Sequence, residues 1–171
     1  MKTRAAGWLD FLQTLAIVAG LVYGVAELAQ FRTEQHRQAN LDLARSFLTP
    51  EFMRAANIVV NLPDSVSLEV LQTSYGEDLP DIHFLAQTFE TIGIMVHNGD
   101  VRLQTVDDFF GTFIIISWDK LLPMRMGYRK LYNSPSIGEW HQWLTERLRE
   151  YRAENELAPA YEAFQDWRPG S

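Results

Sequence analysis

Glu90 is the side chain in this sequence with the most to explain. It follows Phe89 in a segment, Asp81 to His97, where Ile82, Leu85, Phe89, Ile92 and Val96 recur at helical spacing. Ile94 and Met95 extend the apolar surface almost all round, the pattern of a central, buried helix. A carboxylate in such a helix must be paired or neutralised. Arg125 and Arg129, one helical turn apart, are the candidate partners, with Trp118 as a cover. In a closed core these groups form an ion pair that fixes how two helices pack. In a pocket they would bind a ligand or do acid–base chemistry. The ion pair is the simpler reading.

Other reactive side chains lack the spacing that chemistry needs. His36, His83, His97 and His141 have no partner at i, i+4 and no His-Glu spacing, so no metal site is expected. His97, at the end of its helix, suits the dipole there. Asp107 and Asp108 are adjacent and read as capping acids in a first helical turn, not as an acid–base pair. No glycine-rich phosphate loop, Ser-His-Asp arrangement or nucleophile elbow is present. The sequence therefore assigns no catalytic or cofactor-binding residue and no cofactor.

A different pattern lies near the N-terminus. Trp8 to Phe31 would rise about 36 Å as a helix, enough to cross a hydrocarbon core of ~30 Å. Leu15 to Ala26 contains no charge, amide or carboxylate. Trp8 and Tyr23 suit the interfaces, and Lys2, Arg4, Arg32 and Arg37 flank the segment. At 100° per residue, Asp10, Gln13, Ala16, Gly20, Gly24 and Glu27 share one third of the circumference. Leu15, Val18, Val22, Val25 and Ala26 lie opposite. Small residues flanked by hydrogen-bonding groups let membrane helices approach closely, so this stripe predicts self-association or pairing with another membrane protein. A rival reading is a signal peptide cut before Glu27, after Gly24-Val25-Ala26. Asp10 and the apolar pattern continuing through Leu28 and Phe31 oppose it. Flanking charges are nearly balanced, and the domain is assigned to the cytoplasmic side of the membrane.

The rest of the chain must position Glu90. Residues 1–7 read as a tail, 8–31 as the membrane helix, 32–40 as a polar helical stalk, and 41–171 as one all-helical domain. Leu41, Ala44, Phe47 and Leu48 have helical spacing. Thr49 caps a helix from Pro50 to Leu62, stapled by Leu48 against Met53. A short helix occupies Asp64 to Tyr75, closed by Gly76, with a loop over Glu77 to Pro80. Asn98-Gly99 ends the Glu90 helix in a left-handed cap. Thr105 caps the next helix, through Phe109, Phe113, Ile116 and Leu121; Pro123 kinks or ends it, and Met124 to Tyr132 continues helically. Phe113 to Ile116 is strand-like in composition but keeps the helical period. Ser136-x-x-Glu139 reads as a capping box opening a long helix with Trp140, Trp143, Leu144, Leu148 and Tyr151. Ala158 to Trp167 adds a short amphipathic tail. The expected fold is all-α: one membrane helix, then about five to six helices.

Composition bounds the function. A chain of 171 residues, 47% hydrophobic and 22% charged, is ordinary folded material. A net charge of -7 opposes nucleic-acid binding and attraction to anionic lipid, so only the apolar segment can hold the chain at a bilayer. The cysteine count of 0 removes disulfide and thiolate chemistry.

Phe89-Glu90-x-Ile92-Gly93, Asn98-Gly99-Asp100-Val101, Phe110-Gly111, Trp118 and Leu122-Pro123, followed by Arg125 or Arg129, occur in an order that resembles a bacterial family. That family consists of small, membrane-anchored helical proteins grouped as a domain of unknown function. The resemblance covers roughly residues 8 to 150 and implies the anchor, the all-α domain and a bacterial source. It implies no activity, cofactor or partner. The leading functional expectation is a single-pass protein-interaction or scaffold module. The alternatives are a membrane-tethered sensor or enzyme with a polar pocket around Glu90 and Arg129, and a periplasmic or secreted domain.

Overall fold

The computed structural model describes Gly20, Leu21, Tyr23, Gly24, Glu27, Arg45, Phe47 and residues 49–156 and 158–169. The chain divides into two compact units, Met1–Asp42 and Leu43–Ser171. In the first, Gly20, Leu21, Tyr23, Gly24 and Glu27 are all helical. The rest of the expected membrane segment, including Asp10, Gln13 and Ala16 of its stripe, lies outside the described residues, as does the stalk at 32–40. Among the described residues no helix is long and apolar enough to cross a membrane.

The second unit is all-α, with no strand among the described residues. Its helices are α1 Pro50–Asn61, α2 Leu68–Ser74, α3 Leu79–His97, α4 Leu103–Tyr132, α5 Glu139–Glu154 and α6 Ala160–Ala163. Helix α3 packs most extensively, on α5 and on α1. Helix α4 lies against α5, and α2 against α4.

Local signals explain the first two helices. The Phe52 amide donates to Thr49 Oγ1 at 3.2 Å, and Pro50 occupies the first turn. Phe52, Ala55 and Val59 form the buried face. Met53 is exposed, and Leu48, its expected staple partner, lies outside the described residues. Phe47 packs edge-on against Phe52, with ring centroids 4.6 Å apart. At the other end Lys120 Nζ donates to the Leu62 carbonyl, which the helix leaves without a partner. Helix α2 is shorter than the pattern suggests because Ser67 caps it, accepting from the Val70 amide at 3.2 Å.

Helix α3 begins at Leu79, with Pro80 in its first turn, so of the loop expected over Glu77 to Pro80 only Glu77 and Asp78 stay outside the helix. It buries Ile82, Leu85, Ala86, Phe89, Glu90, Ile92 and Gly93. Phe84 and Ile94 are exposed, so the helix is buried on one broad face and not all round. Gly99 closes it at φ 79°, as expected of the Asn98-Gly99 pair.

Helix α4 departs from expectation at its start. Its N-cap is Arg102, in an extended conformation, and Thr105 lies inside the helix. Val101 and Val106 occupy the N′ and N4 positions and are both buried, so a hydrophobic staple sets the start. Pro123 does not end the helix, which continues through Met124 to Tyr132 as its spacing predicts. An internal proline costs about 3 kcal/mol. Leu121 and Met124, both fully buried beside it, each return about 1.5–3 kcal/mol. The carbonyl that Pro123 leaves unpaired belongs to Asp119, at an exposed position.

An aromatic column fills the core. Phe47 stacks on Phe110 at 3.4 Å, Phe52 and Phe113 meet Phe89 edge-on, and Phe89 abuts His141 at 5.0 Å. Helices α3 and α5 touch backbone to side where Gly93 faces Trp140. A Cβ there would lie 2.5 Å from the Trp140 carbonyl oxygen. Alanine gains about 1 kcal/mol of helix propensity over glycine, whereas overpacking against a fixed backbone costs about 1–3 kcal/mol. Gly93→Ala should therefore lower the urea midpoint. A midpoint unchanged or raised would show that α5 is free to move away.

Candidate functional site

Helix α5 starts without a cap of its own. The Ser136–Glu139 capping box does not form: Ser136 Oγ lies 3.2 Å from Ser134 Oγ, and Gly138 at φ 78° takes the N-cap position with no side-chain bond. The first-turn amides must find acceptors elsewhere. Glu90 supplies them from α3. Its Oε2 accepts from the Trp140 amide at 3.0 Å and its Oε1 from the His141 amide at 3.3 Å. A carboxylate at this point also faces the positive end of the α5 dipole.

Arg125 lies behind the same carboxylate. Its Nη2 is 3.7 Å from Glu90 Oε1 and donates instead to the Ala86 carbonyl at 3.1 Å. The backbone amides are closer, so they hold the carboxylate and the ion pair is secondary. Gly138 is required here twice over, by its left-handed φ and because a Cβ would lie 3.0 Å from Arg125 Cδ and Nε. Burial draws the Arg125 guanidinium below its usual range. Glu90 opposes that shift and Arg129 reinforces it.

Arg129 is not brought to Glu90. It donates through Nε to the Ile137 carbonyl at 2.8 Å and through Nη2 to Gln142 Oε1 at 2.9 Å, tying the 133–138 connection to α4. Asp107, expected to cap α4, accepts from Arg152 Nε at 2.6 Å, while Asp108 is exposed. Sequence reasoning missed the Asp107–Arg152 pair, because an ion pair between helices leaves no local spacing signal.

It also missed His141, which is fully buried against Phe89 and Trp118. Nε2 is 3.2 Å from the Ile114 carbonyl, which can only accept, so the ring proton resides on Nε2. The Ser117 hydroxyl donates to the same carbonyl at 2.9 Å. Nδ1 has no partner among the described residues. Burial pushes the imidazole down to about 3, against the Ile114 carbonyl, which favours the protonated ring; the Arg125 charge adds to the lowering. The signal available in the sequence was its position: His141, Leu144, Thr145 and Leu148 recur on one helical face.

A cleft of about 290 Å³ opens beside the cluster, lined by His83, Ala86, Gln87, Arg125, Tyr128, Tyr132 and Ile137. Neither Glu90 nor Arg129 lines it. Among the described residues no group of acidic or His side chains could hold a metal ion.

Two outcomes test this arrangement. Breaking a buried pair by removing one partner costs about 3–5 kcal/mol, so Glu90→Ala should destabilise the domain by that order. Arg129→Ala, losing bonds at a partly exposed site, should cost about 1 kcal/mol. Equal losses in denaturant titrations would contradict the ranking. For His141 the unfolded ring binds more protons than the folded one between about pH 6.5 and about pH 3. Stability should fall as pH drops through that window, by up to about 1.4 kcal/mol per pH unit, and gain nothing from this ring above it. His141→Gln, which keeps a donor but cannot titrate, should flatten the slope. Parallel wild-type and variant curves would exclude His141 as the cause.

Residues 14–148 match a family described as a domain of unknown function (DUF4760). No curated protein and no solved structure matches the chain.

Proposed function

The chain belongs to the DUF4760 family, and on that premise we propose that it is a single-pass, membrane-anchored protein-interaction module. Its helical domain makes protein–protein contacts, and its N-terminal helix associates with a second copy, or with another membrane protein, through the stripe of Asp10, Gln13, Ala16, Gly20, Gly24 and Glu27. The domain sits on the cytoplasmic side of a bacterial membrane.

The observation that carries the association is the state of the two glycines. Both are helical, and a Cβ at either would meet nothing within 4 Å. Glycine in a solvated helix costs about 1 kcal/mol relative to alanine, and close approach of a second backbone is a physical return for that cost. Leu21 and Tyr23, between them, are 66% and 70% exposed, as side chains facing lipid would be. The apolar run from Leu15 to Ala26 supports the anchor itself. Use of both Glu90 oxygens by α5 favours a contact-making domain over one that reacts at that carboxylate.

Gly20→Leu and Gly24→Leu should each lower self-association in a membrane two-hybrid assay. Val18→Leu, on the opposite side, should leave it intact. Association that survives both glycine changes would sink the stripe as an interface. Intact mass of the mature protein separates anchor from signal peptide: a product beginning at Glu27 would overturn the anchor.

A further inference from the structure

The cleft beside Arg125 has the composition of a ligand site. A guanidinium carries five N–H donors. Among the described residues the protein accepts from Nη2, through the Ala86 carbonyl, while the Glu90 oxygen at 3.7 Å is too distant for a hydrogen bond. Nε is buried with no partner beside Gly138, so a ligand in the cleft would meet the terminal nitrogens and not Nε. Arg125 is only 8% exposed, so few of its donors can be satisfied by water, and unsatisfied buried donors are costly. The Glu90 charge that would neutralise it is shared with two amides at the start of α5, and Arg129 adds a second cation nearby. The surroundings of the cleft are therefore positive.

The walls are complementary to a flat body. Tyr128 and Tyr132 stack at 6.0 Å with an interplanar angle of 18°, and the His83 ring bonds the Tyr128 hydroxyl at 3.0 Å. Tyr132, at the rim, is 65% exposed, so its ring is free to cover something. Burial and then the Arg125 charge hold His83 below its usual range, keeping a neutral ring beside the guanidinium near pH 7. Arg129 is engaged with Ile137 and Gln142, leaving one guanidinium to face the cleft, the match for a monoanion.

We propose that this cleft binds a small, flat monocarboxylate. Its carboxylate occupies the open donors of Arg125 in the planar geometry that a guanidinium favours, and its apolar body lies against Tyr132 and Ile137. At about 290 Å³ the cleft stands at the small end of ligand pockets, which suits a single-ring acid. The site is separate from the stripe of Gly20 and Gly24 and does not depend on it.

Benzoate is the probe, titrated into the full-length chain in detergent micelles while the ring carbons of the histidines are followed by NMR. The His83 resonance should shift saturably, with His97 and His141 unmoved. Benzyl alcohol, of the same shape without charge, should produce no saturable shift, and inorganic phosphate should bind more weakly than benzoate. Arg125→Lys should weaken benzoate about tenfold, by losing the fork while keeping the charge. Tyr132→Ala should weaken it by a smaller factor, and its exposed position leaves folding intact if the lysine variant does not fold. A His83 resonance that does not saturate overturns the site. So does an equal response to benzyl alcohol, or unaltered affinity in folded Tyr132→Ala. Phosphate binding tighter than benzoate overturns the ligand class.

Discussion

Helix α5 is held to the domain by a carboxylate that is not its own. Glu90, midway along the chain, accepts the Trp140 and His141 amides that the first turn of α5 leaves unpaired. Much of the domain follows from that constraint. It fixes where α5 begins, so Trp140 must pass close enough to α3 that only glycine fits at position 93. It fixes the rotation of α5, which turns His141, Leu144, Thr145 and Leu148 inward. It also demands a connection from α4 that arrives without its own cap, which Gly138 supplies in a left-handed conformation.

Polar groups inside the core then specify register more than they add stability. Apolar contacts such as Phe89 on Phe113 tolerate small slides between helices, because dispersion has little direction. The bonds joining Ser117, the Ile114 carbonyl and the His141 ring do not, since a shifted α5 would strand a buried donor. Near the surface, Arg152 with Asp107 and Arg149 with Asp119 tie α5 to α4 again. The Arg149 pair is half-exposed and worth little by itself, so it adds alignment, not strength.

Much of what depended on neighbours in sequence was legible from the sequence. The Thr49-Pro50 start of α1, the apolar faces of α3 and α5, the Gly99 terminator and the all-α character all follow from spacing and caps. The failures at helix starts are of two kinds. At α4 one local signal outweighs another, because the Val101–Val106 staple starts the helix ahead of Thr105. At α5 a tertiary contact wins, because Glu90 replaces the local cap that the Ser136–Glu139 box would supply. Burial of Leu121 and Met124 carries α4 through Pro123, as the helical spacing beyond it predicts. The burial of Glu90 follows from its position in the α3 pattern, but no local spacing distinguishes Arg125 from Arg129. Only the backbone path, which turns Arg129 toward the 133–138 connection, makes that choice.

That choice has an electrostatic consequence. A carboxylate capping a helix already faces the half charge of the helix dipole, so it has less to offer a second cation. Arg125 therefore sits beside its counter-ion without a hydrogen bond to it, at 3.7 Å, and with one backbone carbonyl as acceptor. Two apolar residues of similar volume at positions 90 and 125 would avoid both desolvation costs. They would also leave α5 uncapped, which accounts for Glu90. Neutralising Glu90 accounts only partly for Arg125, because a charge so weakly bonded returns little of its desolvation cost. Arg125 also lines the cleft between α3 and α4, so its guanidinium is a polar group that the packing of the fold does not fully use.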